Sequence, residues 1–222
     1  MKKVFIMLLF MATAAVAQDR IEKNLGDFTE VKTYRGLQVE LIKSDSPKLI
    51  IEGNKASSVT VKNSNGVLKL SLKIENTFSS DEVMVYLHYS EPIAVVDGNE
   101  GSNIFSDEVF DQERIEVRAQ EGARIKLELD AKNVEVVTST GGYINLSGTA
   151  ESQDVRTNTG GIYKGGRLKT ENTKVNAATG GNAVVYASKS IDAKASTAGI
   201  IDIDGDPEQV SRNESTGGNI NN

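Results

Sequence analysis

One histidine, one run of alternating aspartates and three tyrosines have types and spacings that could do chemistry in this 222-residue chain. His88 stands in Val85-Tyr86-Leu87-His88-Tyr89. An imidazole there could act as a general base, but the alternating apolar residues read as a strand with His88 on its surface. No G-x-S-x-G nucleophile motif accompanies it. Asp202, Asp204 and Asp206 lie in Ile201-Asp202-Ile203-Asp204-Gly205-Asp206-Pro207. Alternating carboxylates beside a glycine resemble the start of a calcium loop, but the distal glutamate such a loop needs is missing. They are weak metal candidates, and Asp202 and Asp204 read better as the outward half of a strand. Tyr143, Tyr163 and Tyr186 could stack on sugar rings, but Tyr163 falls in an inward position, which leaves two. The sequence therefore assigns no catalytic residue, no metal site and no cofactor.

Composition narrows the classes further. The chain has no cysteine, which excludes disulfides, thiolate metal sites, cysteine nucleophiles and a lipid-bearing N-terminal cysteine. It also has no tryptophan, which weakens a glycan-stacking platform. The net charge of −6 argues against nucleic acid and anionic membrane as main partners. Residues 1–17 read as a secretory signal peptide. Lys2 and Lys3 precede an apolar run, and Ala15-Val16-Ala17 forms an A-x-A cleavage site before Gln18. The run is too short to span a bilayer comfortably. Cleavage between Ala17 and Gln18 is expected to leave an exported protein with no transmembrane segment, in the periplasm or outside the cell.

The elements that must position any site are repeats. Thr-Gly-Gly occurs at Thr140, Thr159, Thr179 and Thr216, with a degenerate Thr197-Ala198-Gly199 between. Glu100-Gly101 and Glu121-Gly122 continue the series backward, and the spacings are 21, 19, 19, 20, 18 and 19. Four residues before each marker stand Val96, Val117, Val136, Val155, Val175, Ala193 and Arg212. Four after stand Ile104, Ile125, Ile144, Tyr163, Ala183, Ile201 and Ile220. Residues between these columns are mostly polar, and alternation around a turn is a strand signature. One copy cannot bury its apolar face alone, so copies must stack. The expectation is an all-β parallel β-helix, a solenoid with coils of about 19 residues and seven rungs. The Gly-Gly pair is read as its corner, because glycine takes positive φ cheaply, and the threonines before it as a stack.

Residues 18–95 carry strand patterns without the regular period: Leu37, Val39 and Leu41; Leu68, Leu70 and Leu72; Val83, Val85 and Leu87. They read as wider, irregular coils that begin the same solenoid ahead of the regular repeats in 96–222, with a small separate β-sandwich as the alternative. Asn65-Gly66 signals a two-residue hairpin or a tight corner, and the polar stretch 75–81 reads as a loop between the halves. Arg212, Glu214 and the terminal asparagines replace apolar columns, as a polar cap would. A monomer or weak end-to-end dimer is expected.

The order of several motifs resembles a known family. Phe28-Thr29-Glu30-Val31, Leu37-Gln38-Val39-Glu40-Leu41, Leu49-Ile50-Ile51-Glu52-Gly53-Asn54 and Gly66-Val67-Leu68-Lys69-Leu70, followed by the Thr-Gly-Gly coils, resemble the DUF2807 family. Its members are described as "putative autotransporter adhesins" with a head GIN domain, exported proteins common in Bacteroidetes. The resemblance implies a β-helical fold and an extracytoplasmic location, but no established activity. The chain lacks the many ten-residue alternating strands of an autotransporter barrel. The leading functional expectation is a non-enzymatic binding or structural protein of the bacterial envelope, its partner a glycan or a protein. The alternative is a polysaccharide lyase or hydrolase. A groove holding carboxylates with Lys or Arg would favour the enzyme, and a smooth polar face would favour binding.

Overall fold

The computed structural model describes residues 19–73 and 83–222. The signal-like segment and the stretch 75–81 lie outside them. The repeat register read from the sequence is the register of the sheet. Val136 pairs with Val155, Val155 with Val175 and Val175 with Ala193, which meets Arg212. Ile125, Ile144, Tyr163, Ala183, Ile201 and Ile220 form the second column in the same way. These residues are buried down to Ile220, except Arg212.

Strands run as follows. At the start are β1 (Arg20–Asn24), β2 (Glu30–Tyr34), β3 (Gln38–Lys43), β4 (Lys48–Glu52), β5 (Val59–Ser64), β6 (Val67–Leu72) and β7 (Met84–Tyr89). Then come β8 (Val95–Gly98), β9 (Asn103–Ala119), β10 (Arg124–Thr138), β11 (Tyr143–Thr157) and β12 (Ile162–Ala177). The last coils split into shorter pieces: β13 (Asn182–Tyr186), β14 (Ser190–Ser196), β15 (Ile200–Asp204), β16 (Gln209–Ser215) and β17 (Asn219–Asn221). All join one sheet, and β8 to β17 stack in parallel. Seven coils of roughly 19 residues result, as the repeat predicts.

The corner differs from the sequence reading in which residues bend. Both members of Gly-Gly do not take positive φ. The pair at positive φ is the marker residue and the first glycine: Thr140 at 50° and Gly141 at 74°. Two consecutive positive φ values make the mirror-image turn, closed by Gly142 N–H donating to the Ser139 carbonyl at 2.9 Å. The second glycine has another duty. A Cβ on Gly142 would stand 2.0 Å from the Ala119 carbonyl oxygen in the coil before. Adjacent corners are tied through backbone, with Gly141 N–H donating to the Thr159 carbonyl at 3.2 Å and Gly122 N–H to Thr140 at 3.1 Å. The corner threonines are exposed, and among the described residues no side-chain hydrogen bond joins one to the next.

The N-terminal part is a coil with an antiparallel cover. Between β2 and β3, Arg35 and Gly36 repeat the corner at φ 60° and 69°. Gly36 N–H donates to Glu100 oxygen at 2.8 Å, so this turn is an eighth member of the corner stack. Above it, β6 and β7 pair in parallel with β2 and β3. They are covered in turn by β5 and β4, which run antiparallel, and β1 edges β4 antiparallel as well. Asn65-Gly66 makes the hairpin between β5 and β6 that its sequence signals, at φ 52° and 77°, whereas the sequence alone did not separate β1 and β4 from irregular parallel coils.

Two irregular positions are resolved by packing. Tyr163 replaces isoleucine in the second column and is fully buried. Gly165, two residues on, makes the room: a Cβ there would meet the Tyr163 ring at 2.2 Å. Ser106, polar in an inward column, donates its hydroxyl to the Leu41 carbonyl at 2.8 Å.

Candidate functional site

The long strands β9 to β12 alternate inward and outward and share one slip at the same place. Lys132 and Asn133, Glu171 and Asn172 and their equivalents face out consecutively. This second corner separates two hollows that run across the coils. The larger has a volume of about 640 Å³. One wall is a stacked row of Asn133, Ser152, Asn172, Ser190 and Gln209, headed by Arg114. The other wall stacks Glu135, Asp154, Lys174, Asp192 and Ser211. The floor is the buried row Val134, Gln153, Thr173 and Ile191.

The walls differ in hydrogen-bonding character. Ser152 donates to Asn133 Oδ1 at 2.9 Å, and Ser190 to Asn172 Oδ1 at 2.8 Å. Those bonds occupy the amide oxygens and leave the Nδ2 groups as donors. On the other wall Arg156 bridges two coils. It donates to Glu135 at 2.7 Å and to Asp154 at 3.3 Å, and Lys174 lies 4.0 Å from Asp154. Asp192 makes no hydrogen bond or ion pair among the described residues. These pairs are half exposed, so each contributes at most about 1 kcal/mol. They leave a carboxylate-rich wall, with Lys174 in it, facing a wall of amides and hydroxyls headed by Arg114. The floor is fixed from inside. Tyr163 donates to Gln153 Oε1 at 2.8 Å, and Gln153 Nε2 donates to Thr170, Thr173 and the Tyr186 carbonyl at 3.1 Å each.

The smaller hollow, about 590 Å³, lies across the corner between Asp111, Asp130, Thr149 and the row Glu113, Lys132, Glu151. Its charges pair along the stack, with Lys132 on Glu113 at 2.6 Å and Lys189 on Glu171 at 2.7 Å.

The residues singled out from the sequence lie elsewhere. His88 is partly buried on β7, opposite Ile42 and Lys48. Burial first, then the Lys48 charge, holds its imidazole below the ordinary histidine range. Asp202 and Asp204 face outward on β15, and Asp206 is exposed beyond Gly205. Asp202 accepts from Asn221 at 2.8 Å. Among the described residues no three His, Cys, Asp or Glu are grouped to hold a metal. Tyr143 packs under the Arg124 guanidinium and Tyr186 under the Lys169 ammonium, 3.9 Å from its ring centre. Neither lines the groove. Sequence reasoning missed the groove because its walls are ordinary Asn, Ser, Asp and Lys. The available signal was the consecutive outward pair, which breaks the alternation at the same place in every coil.

The family model DUF2807, "putative auto-transporter adhesin, head GIN domain", matches residues 27–207. The chain belongs to this family. A "putative adhesin" from Bacteroides fragilis has the same fold, with a TM-score of 0.84 at 16% identity, over 94% of this chain and 98% of that one. A "putative lipid binding protein" from Parabacteroides distasonis superposes with a TM-score of 0.68 at 19% identity, over 93% and 97%. A "putative adhesin" from Parabacteroides merdae gives 0.68 at 17% identity, over 93% and 96%. At these identities the likeness speaks for the fold. No curated protein matches the chain. Among the described residues of this DUF2807 member, no helix is long and apolar enough to cross a membrane.

Proposed function

We propose that this DUF2807 protein is an exported, non-catalytic binding protein of the cell envelope whose larger groove takes an extended, hydroxyl-rich polymer, a glycan chain. The observation that carries the reading is an amide and hydroxyl wall, Asn133 to Gln209, facing a carboxylate-rich wall, Glu135 to Asp192, over a floor immobilised by Gln153 and Tyr163. Hydroxyls both donate and accept, so a polyol satisfies both walls at once. Stacked strands repeat about every 4.8 Å, close to the advance per residue of an extended hexopyranose chain. The face is a groove with carboxylates beside Arg156 and Lys174 rather than a smooth one, the outcome that the sequence criterion tied to the enzyme, so the case for binding rests on how the two walls are arranged. Export is supported by the lysine, apolar and A-x-A pattern of residues 1–17, and by the family description.

The second reading, a polysaccharide-active enzyme, draws on the same groove, because it holds carboxylates beside Arg156 and Lys174. Its weakness is geometric. Glycoside hydrolysis needs two carboxyl groups flanking the scissile bond. Here Glu135, Asp154 and Asp192 share one wall, and the facing wall carries amides and hydroxyls. A glycan array together with an envelope pull-down, using protein whose N-terminus is found at Gln18, tests the leading reading. Retention of a glycan that is returned intact supports it. Empty results in both, or shortened chains that survive whole only with Asp154→Asn or Asp192→Asn, contradict it.

A further inference from the structure

The groove's face continues past the groove toward the N-terminal cover, and its charge pattern changes there. One row across this face runs Lys62, Lys69, Lys32, Asp97 and Arg118, and further along includes Arg156. The row beside it runs Ser64, Val67, Glu30, Val95, Glu116 and Glu135. Where both rows carry charge, each cation has an acid. Arg156 holds Glu135 at 2.7 Å, Arg118 holds Glu116 at 2.5 Å, and Lys32 holds Glu30 at 2.8 Å and Asp97 at 3.4 Å. At β5 and β6 the rule breaks. Lys62 is directly opposite Lys69, and Lys69 is directly opposite Lys32. Their flanking positions are Ser64 and Val67, with no acid. Among the described residues neither the Lys62 nor the Lys69 side chain makes a hydrogen bond or ion pair. Like charges opposed across strands destabilise a sheet.

A hollow of about 310 Å³ opens at this place. It is lined by the three lysines with Ser64, Asn65 and Glu30. Glu30 is engaged by Lys32 and does not neutralise the other two. The Ser64 hydroxyl and Asn65 amide add neutral donors. We propose that this hollow is a binding site for a phosphate-bearing group, separate from the groove. Lys62 and Lys69, from neighbouring strands, are two uncompensated point charges beside a third lysine, Lys32, that Glu30 and Asp97 already hold, and such a pair suits a multiply charged oxyanion. A planar carboxylate is matched better by the fork of an arginine. The −6 charge of the whole chain repels anions at long range, so the attraction is local and salt-sensitive.

The test uses two probes on the isotopically labelled protein at low salt. Inorganic pyrophosphate is titrated by NMR, and pelleting is measured with vesicles of phosphatidylglycerol or of phosphatidylcholine. The expected result is saturable shifts confined to residues around 62–69 and Lys32, or pelleting with phosphatidylglycerol alone. Either is weakened at least tenfold in the exposed double variant Lys62→Gln/Lys69→Gln, and less in Lys69→Gln. Loss of the pyrophosphate shifts in the double variant identifies a soluble phosphate site. Loss of vesicle pelleting alone identifies a lipid headgroup. No saturable response to either probe, or a response the double variant retains in full, overturns the proposal.

Discussion

At the residue scale the informative positions are those that break a column. Tyr163 stands where neighbouring coils carry Ile144 and Ala183, and Gly165 stands where they carry Leu146 and Val185. The two exchange volume: the ring fills the space that Leu146 or Val185 fills elsewhere. The ring hydroxyl also holds Gln153, which ties Thr170, Thr173 and the Tyr186 carbonyl under the groove. Gly165→Leu alone should therefore destabilise by about 1–3 kcal/mol or more through overpacking. Tyr163→Ile alone should also destabilise, by opening a cavity and stripping Gln153 of its donor. The double variant restores an ordinary column, so it should recover much of the Gly165→Leu loss. Chemical denaturation of the four proteins measures the coupling, and strict additivity would contradict the exchange.

At the element scale the corner is built from two residues with separate duties. The turn needs positive φ at the marker and the first glycine, whereas the second glycine is excluded from carrying a side chain by the coil before it. The first two regular corners show the limit of this rule. They carry Ser102 and Ala123 at the second position, and Ala123 lies beside Gly98, which has no side chain. Gly142 has Ala119 in that place, so Gly142→Ala should cost about 1–3 kcal/mol, read from a thermal or denaturant midpoint. An unchanged midpoint would show that the corner gives way. The seven-fold period, the apolar columns and the inward place of Tyr163 were all legible in the sequence, because stacking forces the same residue type into the same place. The Arg35-Gly36 corner was not, since 64 residues separate Gly36 from Gly101, its partner in the next corner. Of the antiparallel cover only the Asn65-Gly66 hairpin was legible, because alternation is the same for parallel and antiparallel strands. The groove was hidden for a related reason: outward polar residues look alike whether they face open water or one another.

At the scale of the whole molecule, the proposed function rests on repetition. A solenoid coil contacts only its neighbours, so a row of side chains extends as far as the coils do. The groove rows run over six coils, from Arg114 to Gln209, or roughly 24 Å at about 4.8 Å per coil. The inward rows end in Arg212 and Glu214, where Glu214 accepts from the Ile220 N–H at 2.6 Å and Arg212 donates to Asn222. That is the polar end expected from the sequence, with Ile220 still buried above it. A binding face built this way makes one polymer unit equivalent to the next, and affinity should accumulate unit by unit until the coils run out. The most direct test is calorimetric titration with a length series of one oligosaccharide drawn from the host envelope. Binding should strengthen with each added sugar up to about six, roughly one per coil, then level off. It should weaken at least tenfold in Asn133→Ala/Asn172→Ala, and the oligosaccharides should be recovered at their original length. Affinity independent of length and of those two asparagines, or recovery of shortened products, would contradict the account.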